Sequence, residues 1–430
     1  MGAAFAALFG MTLVTGNLIG ITLTLFGLLI MKYMVGGNYV ALGDGLWNIF
    51  NNFVLTALPV FIFLGEILAH SGVSKRIYSS ISPLFSRLPG RLLQTNIGSC
   101  TMFSAVCGSS QATAAVVGAI AFEELEQRGY RARRIAGSIA AGGTLGILVP
   151  PSLALIIYGF CQDVSVGSLF LAGVIPGLMI AAFFMVYVGV SSTLHPEDLP
   201  AQEEPVPLWD AIKASLNVWP FFVLVFAILG TLILGLATPT ESAALGVATA
   251  LVLAVLYREL TLAVLWQALM STVRVFGTIS LIIVGATVLS QALALSGIPS
   301  DIARWVARSG MDPVFVLLSV YAIYLVLGCL LAAIEMLLIT LPFTFPLIVG
   351  LGYDPVWFGI AVVLLIEVGM LTPPLGMNLF IIMAVSGGRL PLGEIVRGCV
   401  PYWFILLGSL AILTAFPAIV LYLPRLVMGG

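Results

Sequence analysis

The sequence predicts an all-α polytopic membrane protein made of two inverted repeats, each with five transmembrane spans (one proline-broken) and one re-entrant hairpin. Three observations carry this. Of 430 residues, 60% are hydrophobic and only 8% charged, against roughly a quarter charged in a soluble domain. A helix-breaking pattern occurs twice, as Gly146-Ile-Leu-Val-Pro150-Pro151 and Gly369-Met-Leu-Thr-Pro373-Pro374, offset by 223 residues (373 − 150). And the basic residues sort to one side of a membrane only if the second half is inverted relative to the first.

The elements follow in order, each half reading as the same series. Two spans open it, roughly 3–15 and 17–35 in the first half, 214–236 and 239–256 in the second. A third follows, roughly 45–70 and 270–295, and then an amphipathic arm, roughly 72–92 and 298–312. An apolar segment rich in small residues comes next, roughly 94–127 and 314–349. It must leave and re-enter on one side if the rest is to fit, so it reads as a re-entrant hairpin. The proline-broken span covers roughly 135–160 and 356–386, and a last span roughly 168–192 and 399–423. The total is ten spans and two hairpins. Residues 1–195 form the first repeat, 213–430 the second, and the polar stretch 196–212 links them on the cytoplasmic side.

Further matches support duplication. Leu68-Ala-His-Ser71-Gly72 pairs with Leu293-Ala-Leu-Ser296-Gly297, Gly129-Tyr130 with Gly352-Tyr353, and Gly173-Val-Ile-Pro176 with Gly398-Cys-Val-Pro401, all in the same order. Five spans per half is an odd number, which requires the inversion. With the N-terminus outside, only Lys32, Arg304, Arg308 and Arg425 fall outside, leaving 13 of the 17 Lys+Arg inside. Both chain termini are then periplasmic. The apolar N-terminus lacks a basic leader region and a cleavage site, so it reads as a membrane helix rather than a removed signal peptide.

Composition also excludes. A net charge of −2 without a basic tail or arginine-rich run offers nothing to nucleic acid. Five cysteines without C-x-x-C spacing and two histidines read as packing and interfacial residues rather than metal ligands. No Walker motif, H-E-x-x-H, G-x-S-x-G or Ser/His/Asp set is present, so neither direct ATP drive nor hydrolytic catalysis is expected.

The chemistry lies at the breaks. Proline has no N–H and its ring clashes with the carbonyl four residues back, so Pro150 frees the carbonyl of Gly146 and Pro373 that of Gly369. In hydrocarbon a freed carbonyl finds a partner or lines a cavity. Paired broken helices in two halves point to the solute and ion sites of a secondary transporter, and unwound carbonyls suit Na⁺. The candidates are Gly146 and Val149 in the first half and Gly369 and Thr372 in the second. The first hairpin carries Ser104-Ala-Val-Cys-Gly108-Ser109-Ser110-Gln111-Ala-Thr113. Small residues there pack closely, and the Ser110, Gln111 and Thr113 side chains also offer bonds to a polar solute. The second carries Gly328 to Glu335, then Thr340. Glu335 and Glu367 are ionisable in apolar stretches, which marks a functional site or a structural partner alike; Glu66 reads as interfacial. Asn378, four residues beyond Pro374, stands where the first half has Leu155 and is a candidate solute contact.

With these stretches in view, the chain resembles the large membrane (DctM-like) subunit of TRAP transporters, the tripartite ATP-independent periplasmic carriers. The resemblance rests on Phe103-Ser-Ala-Val-Cys-Gly-Ser-Ser110, Gln127-Arg-Gly-Tyr130 and Gly146-Ile-Leu-Val-Pro-Pro151. Ala237-Thr-Pro-Thr-Glu241-Ser242 and Gly369-Met-Leu-Thr-Pro-Pro-Leu-Gly-Met-Asn-Leu379 extend it over nearly the whole chain. It implies an elevator-type carrier in the bacterial inner membrane, driven by a Na⁺ gradient. It also implies pairing with a small four-helix membrane subunit and delivery of a carboxylate-containing organic anion by a periplasmic binding protein. By position, one Na⁺ site takes Ser104, Gly108 and Ser109 with Gly146 and Val149, the other Gly328 with Gly369 and Thr372. One departure stands out: where the family often has an acid near position 332, this chain has Ala332-Ala333, with Glu335 one turn later. The rivals are an elevator carrier that needs no binding protein, an intramembrane enzyme and an ion channel.

Overall fold

The computed structural model describes residues 19–37, 39–200 and 206–428. The expected span over 3–15 lies outside these, as do residues 201–205 of the expected linker. Every regular element among the described residues is helical. In order they are α1 (Ile19–Met34), α2 (Val40–Phe50), α3 (Phe53–His70), the arm α4 (Val73–Phe85), the hairpin α5 (Leu92–Cys107) and α6 (Ser110–Gln127), the broken pair α7 (Ala132–Thr144) and α8 (Leu153–Gln162), and α9 (Val166–Leu194). The second half runs α10 (Leu208–Ile233), α11 (Pro239–Leu256), α12 (Leu262–Ser296), the arm α13 (Ile298–Ser309), the hairpin α14 (Pro313–Gly328) and α15 (Ala333–Gly350), the broken pair α16 (Pro355–Met370) and α17 (Met377–Val385), then α18 (Leu392–Ala415) and α19 (Ala418–Met428).

Many of the starts and stops have a local cause. Ala-Thr-Pro-Thr-Glu opens α11 as a capping box: Thr238 Oγ1 accepts from Glu241 N at 3.4 Å and the Glu241 carboxylate accepts from Thr238 N at 2.8 Å, with Pro239 in the first turn. Asp312 and Asp354 cap α14 and α16 more simply, Asp312 Oδ1 accepting from Val314 N at 2.7 Å and Asp354 Oδ1 from Val356 N and Trp357 N at 2.8 and 3.1 Å, each ahead of a first-turn proline. The repeated Gly-Tyr is a stop signal in both halves. Gly129 and Gly352 have φ of 90° and 93°, and Tyr130 N and Tyr353 N reach back to Leu125 O and Ile348 O at 3.1 and 3.3 Å. Ser71-Gly72 and Ser296-Gly297 share a sequence but not a conformation: Gly297 takes φ 75° and Gly72 −70°.

Six helices (α9, α10, α11, α12, α15, α18) are long and apolar enough to cross a membrane among the described residues, or seven if α2 and α3, bent by 46°, form one span. This makes a multi-pass membrane protein, with fewer full-length spans than the ten expected. The two proline-broken spans are each a pair of short helices. The expected span 45–70 bends at Asn51-Asn52, where Asn52 Oδ1 takes Val54 N at 2.8 Å and starts α3 anew. The last span divides at Phe416, because the residue before Pro417 is pushed out of helical geometry. The second limb of hairpin two, Ala333–Gly350, is itself long and apolar enough to cross a membrane.

α1 packs along α12 with main chain against main chain: a Cβ on Gly20 would lie 2.4 Å from Leu281 O, and one on Gly285 2.1 Å from Gly20 O. Small residues mark such crossings in membranes, where no hydrophobic drive separates helix from lipid. α3 packs on α11 and α12. The hairpins surround the broken helices, and α16 is buried from Trp357 to Met370. The halves interleave in space. α7 lies against α18, with a Cβ on Gly137 only 2.3 Å from Gly398 O, and α6 lies against α17.

Candidate functional site

Each hairpin tip is held against the break of its own half by the same bond. Leu153 N donates to Gly108 O at 3.1 Å, and Leu375 N donates to Cys329 O at 3.1 Å. The peptides Pro150–Pro151 and Pro373–Pro374 are both cis. Gly108 sits at φ 63°, a conformation that favours glycine, and a Cβ there would come 2.7 Å from Pro151 O. A Cβ on Gly146 would lie 2.5 Å from Ser109 O, and one on Gly369 2.6 Å from Gly328 Cα. So Gly108, Ser109 and Gly146 meet at the first tip, and Gly328 and Gly369 at the second.

The other predicted ion-site residues flank these contacts. Ser104 Oγ donates to Cys100 O at 2.6 Å, and its carbonyl takes Gly108 N at 3.3 Å. Val149 is buried under α9 at Gly177. Thr372 Oγ1 donates to Val368 O at 2.6 Å and accepts from Trp403 Nε1 at 2.8 Å. Ser152 Oγ, which bonds Ile147 O and caps α8, belongs to this shell too. Neither Trp403 nor Ser152 is part of the expected set. The carbonyl of Gly369, expected to be freed by Pro373, instead takes Thr372 N at 2.9 Å in a tight turn, and that of Thr372 takes Gly376 N at 3.0 Å, so a cation at the second tip would share these oxygens with amides.

Glu367 joins the halves. It is fully buried, takes Ser110 Oγ at 2.8 Å and Ile147 N, and leaves Oε2 without a partner. Ser110 Oγ is also 3.2 Å from Thr144 O.

A cavity of about 270 Å³ lies where both tips face the middle of α12. Gly108, Ser109, Ser110, Gln111, Ile147, Leu153 and Ala154 line one side; Ala332, Ala333, Ile334, Glu335 and Met370 line another; Val275, Thr278, Ile279 and Ile282 of α12 close it. The structure thus brings Ser110, Gln111 and Glu335 to one space. Thr113, Thr340 and Asn378 are elsewhere. Thr113 is buried with Oγ1 unpartnered. Thr340 is 2.6 Å from the Tyr324 hydroxyl inside hairpin two. Asn378 Nδ2 donates to Ala140 O at 3.1 Å, tying the second break to α7.

The sequence profile described as Tripartite ATP-independent periplasmic transporter, DctM component, matches residues 5–419. The chain belongs to this family of TRAP transporter large permeases. It is 35% identical to the C4-dicarboxylate TRAP transporter large permease protein DctM of Pseudomonas aeruginosa, over 87% of each chain. It is 32% identical to the sialic acid TRAP transporter large permease protein SiaM of Vibrio cholerae, over 88% of each. Its fold is similar to the crystal structure of the Alcanivorax borkumensis YdaH transporter, with a TM-score of 0.68 at 13% identity over 94% of this chain and 98% of that one. As a TRAP large permease the chain is a transporter and not an enzyme.

Proposed function

We propose that this permease carries a carboxylate-containing organic anion across the bacterial inner membrane, coupled to Na⁺, by an elevator movement of the hairpins and broken helices against α1, α3, α11 and α12. The observation that carries this reading is the 270 Å³ cavity, which lies between both hairpin tips and α12. A solute seated there touches elements on both sides of the expected sliding surface.

The first Na⁺ would be held by Ser104, Gly108, Ser109, Gly146 and Val149, the second by Gly328, Gly369 and Thr372. In each case the glycine-to-backbone approach closes the tip on the break. Ions and solute favour the closed tips only through tighter binding to that state, and the closed state is then the one that moves. Ser110, Gln111 and Glu335 would contact the solute in the cavity. Residues 1–195 and 213–430 would be the two inverted repeats, with 196–212 on the cytoplasmic face and both termini periplasmic. The partners are a small four-helix membrane subunit and a periplasmic substrate-binding protein.

Affinity purification of the tagged chain from its native membrane tests the assembly. Recovery of a small four-helix protein in equal amount supports the tripartite reading. A chain that purifies alone and transports without a binding protein would instead be a self-sufficient carrier.

A further inference from the structure

One buried acid links the two tips. Glu367 lies in α16, two residues before Gly369, whose backbone presses on Gly328 at the second tip. Its carboxyl group reaches into the other half, where Oε1 accepts from Ser110 Oγ at 2.8 Å and the group also takes Ile147 N. Those two donors stand on opposite sides of the first tip. Ser110 follows Ser109 on hairpin one, Ile147 follows Gly146 in the break, and Ser109 and Gly146 are the residues in contact. Glu367 therefore spans the closed contact of one half from a helix that carries the closed contact of the other. The far side of the second break is tied to the first half too, through Asn378 Nδ2 and Ala140 O of α7.

Burial makes the link stiff. Glu367 is 1% exposed, and its Oε2 already lacks a partner. Opening the first tip draws Ser110 away and strips a second partner from an acid inside the protein, the costly direction of hydrogen-bond loss. The cost is avoided if α16 follows Ser110. Gly369 then moves as well, and its contact with Gly328 leaves no slack: a Cβ on Gly369 would lie 2.6 Å from Gly328 Cα. The two tips are thereby biased to open or close together.

We propose that Glu367 is a positioning residue that couples the two tips, so that an ion closing one raises the affinity of the other. This rests on the reading of the tips as Na⁺ sites and adds a link between them. Such a coupling acts equally in both directions.

The test reads the second tip while the first is altered. Cys329, whose carbonyl takes Leu375 N at the second tip, is half-buried there. Its labelling by a maleimide, located by peptide mass spectrometry, is followed as Na⁺ replaces choline. The sample is the full chain with its small membrane partner in lipid nanodiscs, without solute. Ser110→Ala removes a hydroxyl from hairpin one alone. It is expected to raise the Na⁺ concentration that half-protects Cys329 roughly fivefold, the low end of ordinary coupling between sites. In an E367M background the same substitution is expected to have no effect on Cys329. In E367Q, which keeps an acceptor oxygen, the shift is expected to return. No shift from S110A in the chain with Glu367 would overturn the inference, and so would an equal shift in E367M; either result leaves the tips as Na⁺ sites. A Cys329 that Na⁺ fails to protect in the unsubstituted chain would reject the Na⁺ reading of the second tip, and the inference with it.

Discussion

At the scale of single residues, the decisive contacts are glycines pressed against backbone. Gly146 meets Ser109 and Gly369 meets Gly328 at distances no side chain tolerates, and the atoms in the way are main chain, which cannot swing aside. Gly146→Leu and Gly369→Leu are each expected to abolish Na⁺-stimulated uptake while the protein still inserts into the membrane and purifies with the same elution profile as the unsubstituted chain. Normal uptake in either variant contradicts the assignment of the tips. These glycines are legible in sequence because each stands four residues before a proline in a repeated pattern. The partner of Ser110 is not legible, since Glu367 lies 257 residues away and an acid in an apolar run carries no mark of what it faces. Thr340 misleads for a related reason: a hydroxyl in a hairpin looks free in sequence, whereas Tyr324 on the opposite limb takes it.

At the scale of elements, local chemistry sets most boundaries, which is why the hairpins, arms and breaks can be read from the chain. Ala-Thr-Pro-Thr-Glu is a helix start before it is anything functional. Thr238→Ala removes the acceptor for Glu241 N and is expected to lower stability by about 1 kcal/mol, seen as a lower melting temperature with the Na⁺ dependence of uptake unchanged. A shift in Na⁺ dependence would show that the cap does more than begin α11. What sequence hides at this scale is the role of α12. Val275, Thr278, Ile279 and Ile282 close the cavity, yet in a 35-residue apolar helix they look the same as residues facing lipid. The number of full spans is hidden too, because apolar runs do not reveal the bends at Asn52 and Phe416.

At the scale of the whole molecule, the cavity lies across the boundary between the hairpins and α12, and an elevator needs that boundary to slide. Thr278→Cys and Ala333→Cys, both on the cavity wall, joined by a reducible bifunctional thiol reagent that spans the cavity, would pin hairpin two to α12. Cross-linking in a background without the native cysteines is expected to stop uptake, and reduction to restore it. Full uptake by the cross-linked protein would rule out relative movement there. The central claim, Na⁺-coupled carriage by a tripartite assembly, is tested most directly in proteoliposomes containing the chain and its small partner, with the binding protein outside and an imposed Na⁺ gradient. The account predicts solute accumulation that requires both inward Na⁺ and the binding protein. Equal accumulation without the Na⁺ gradient would contradict it.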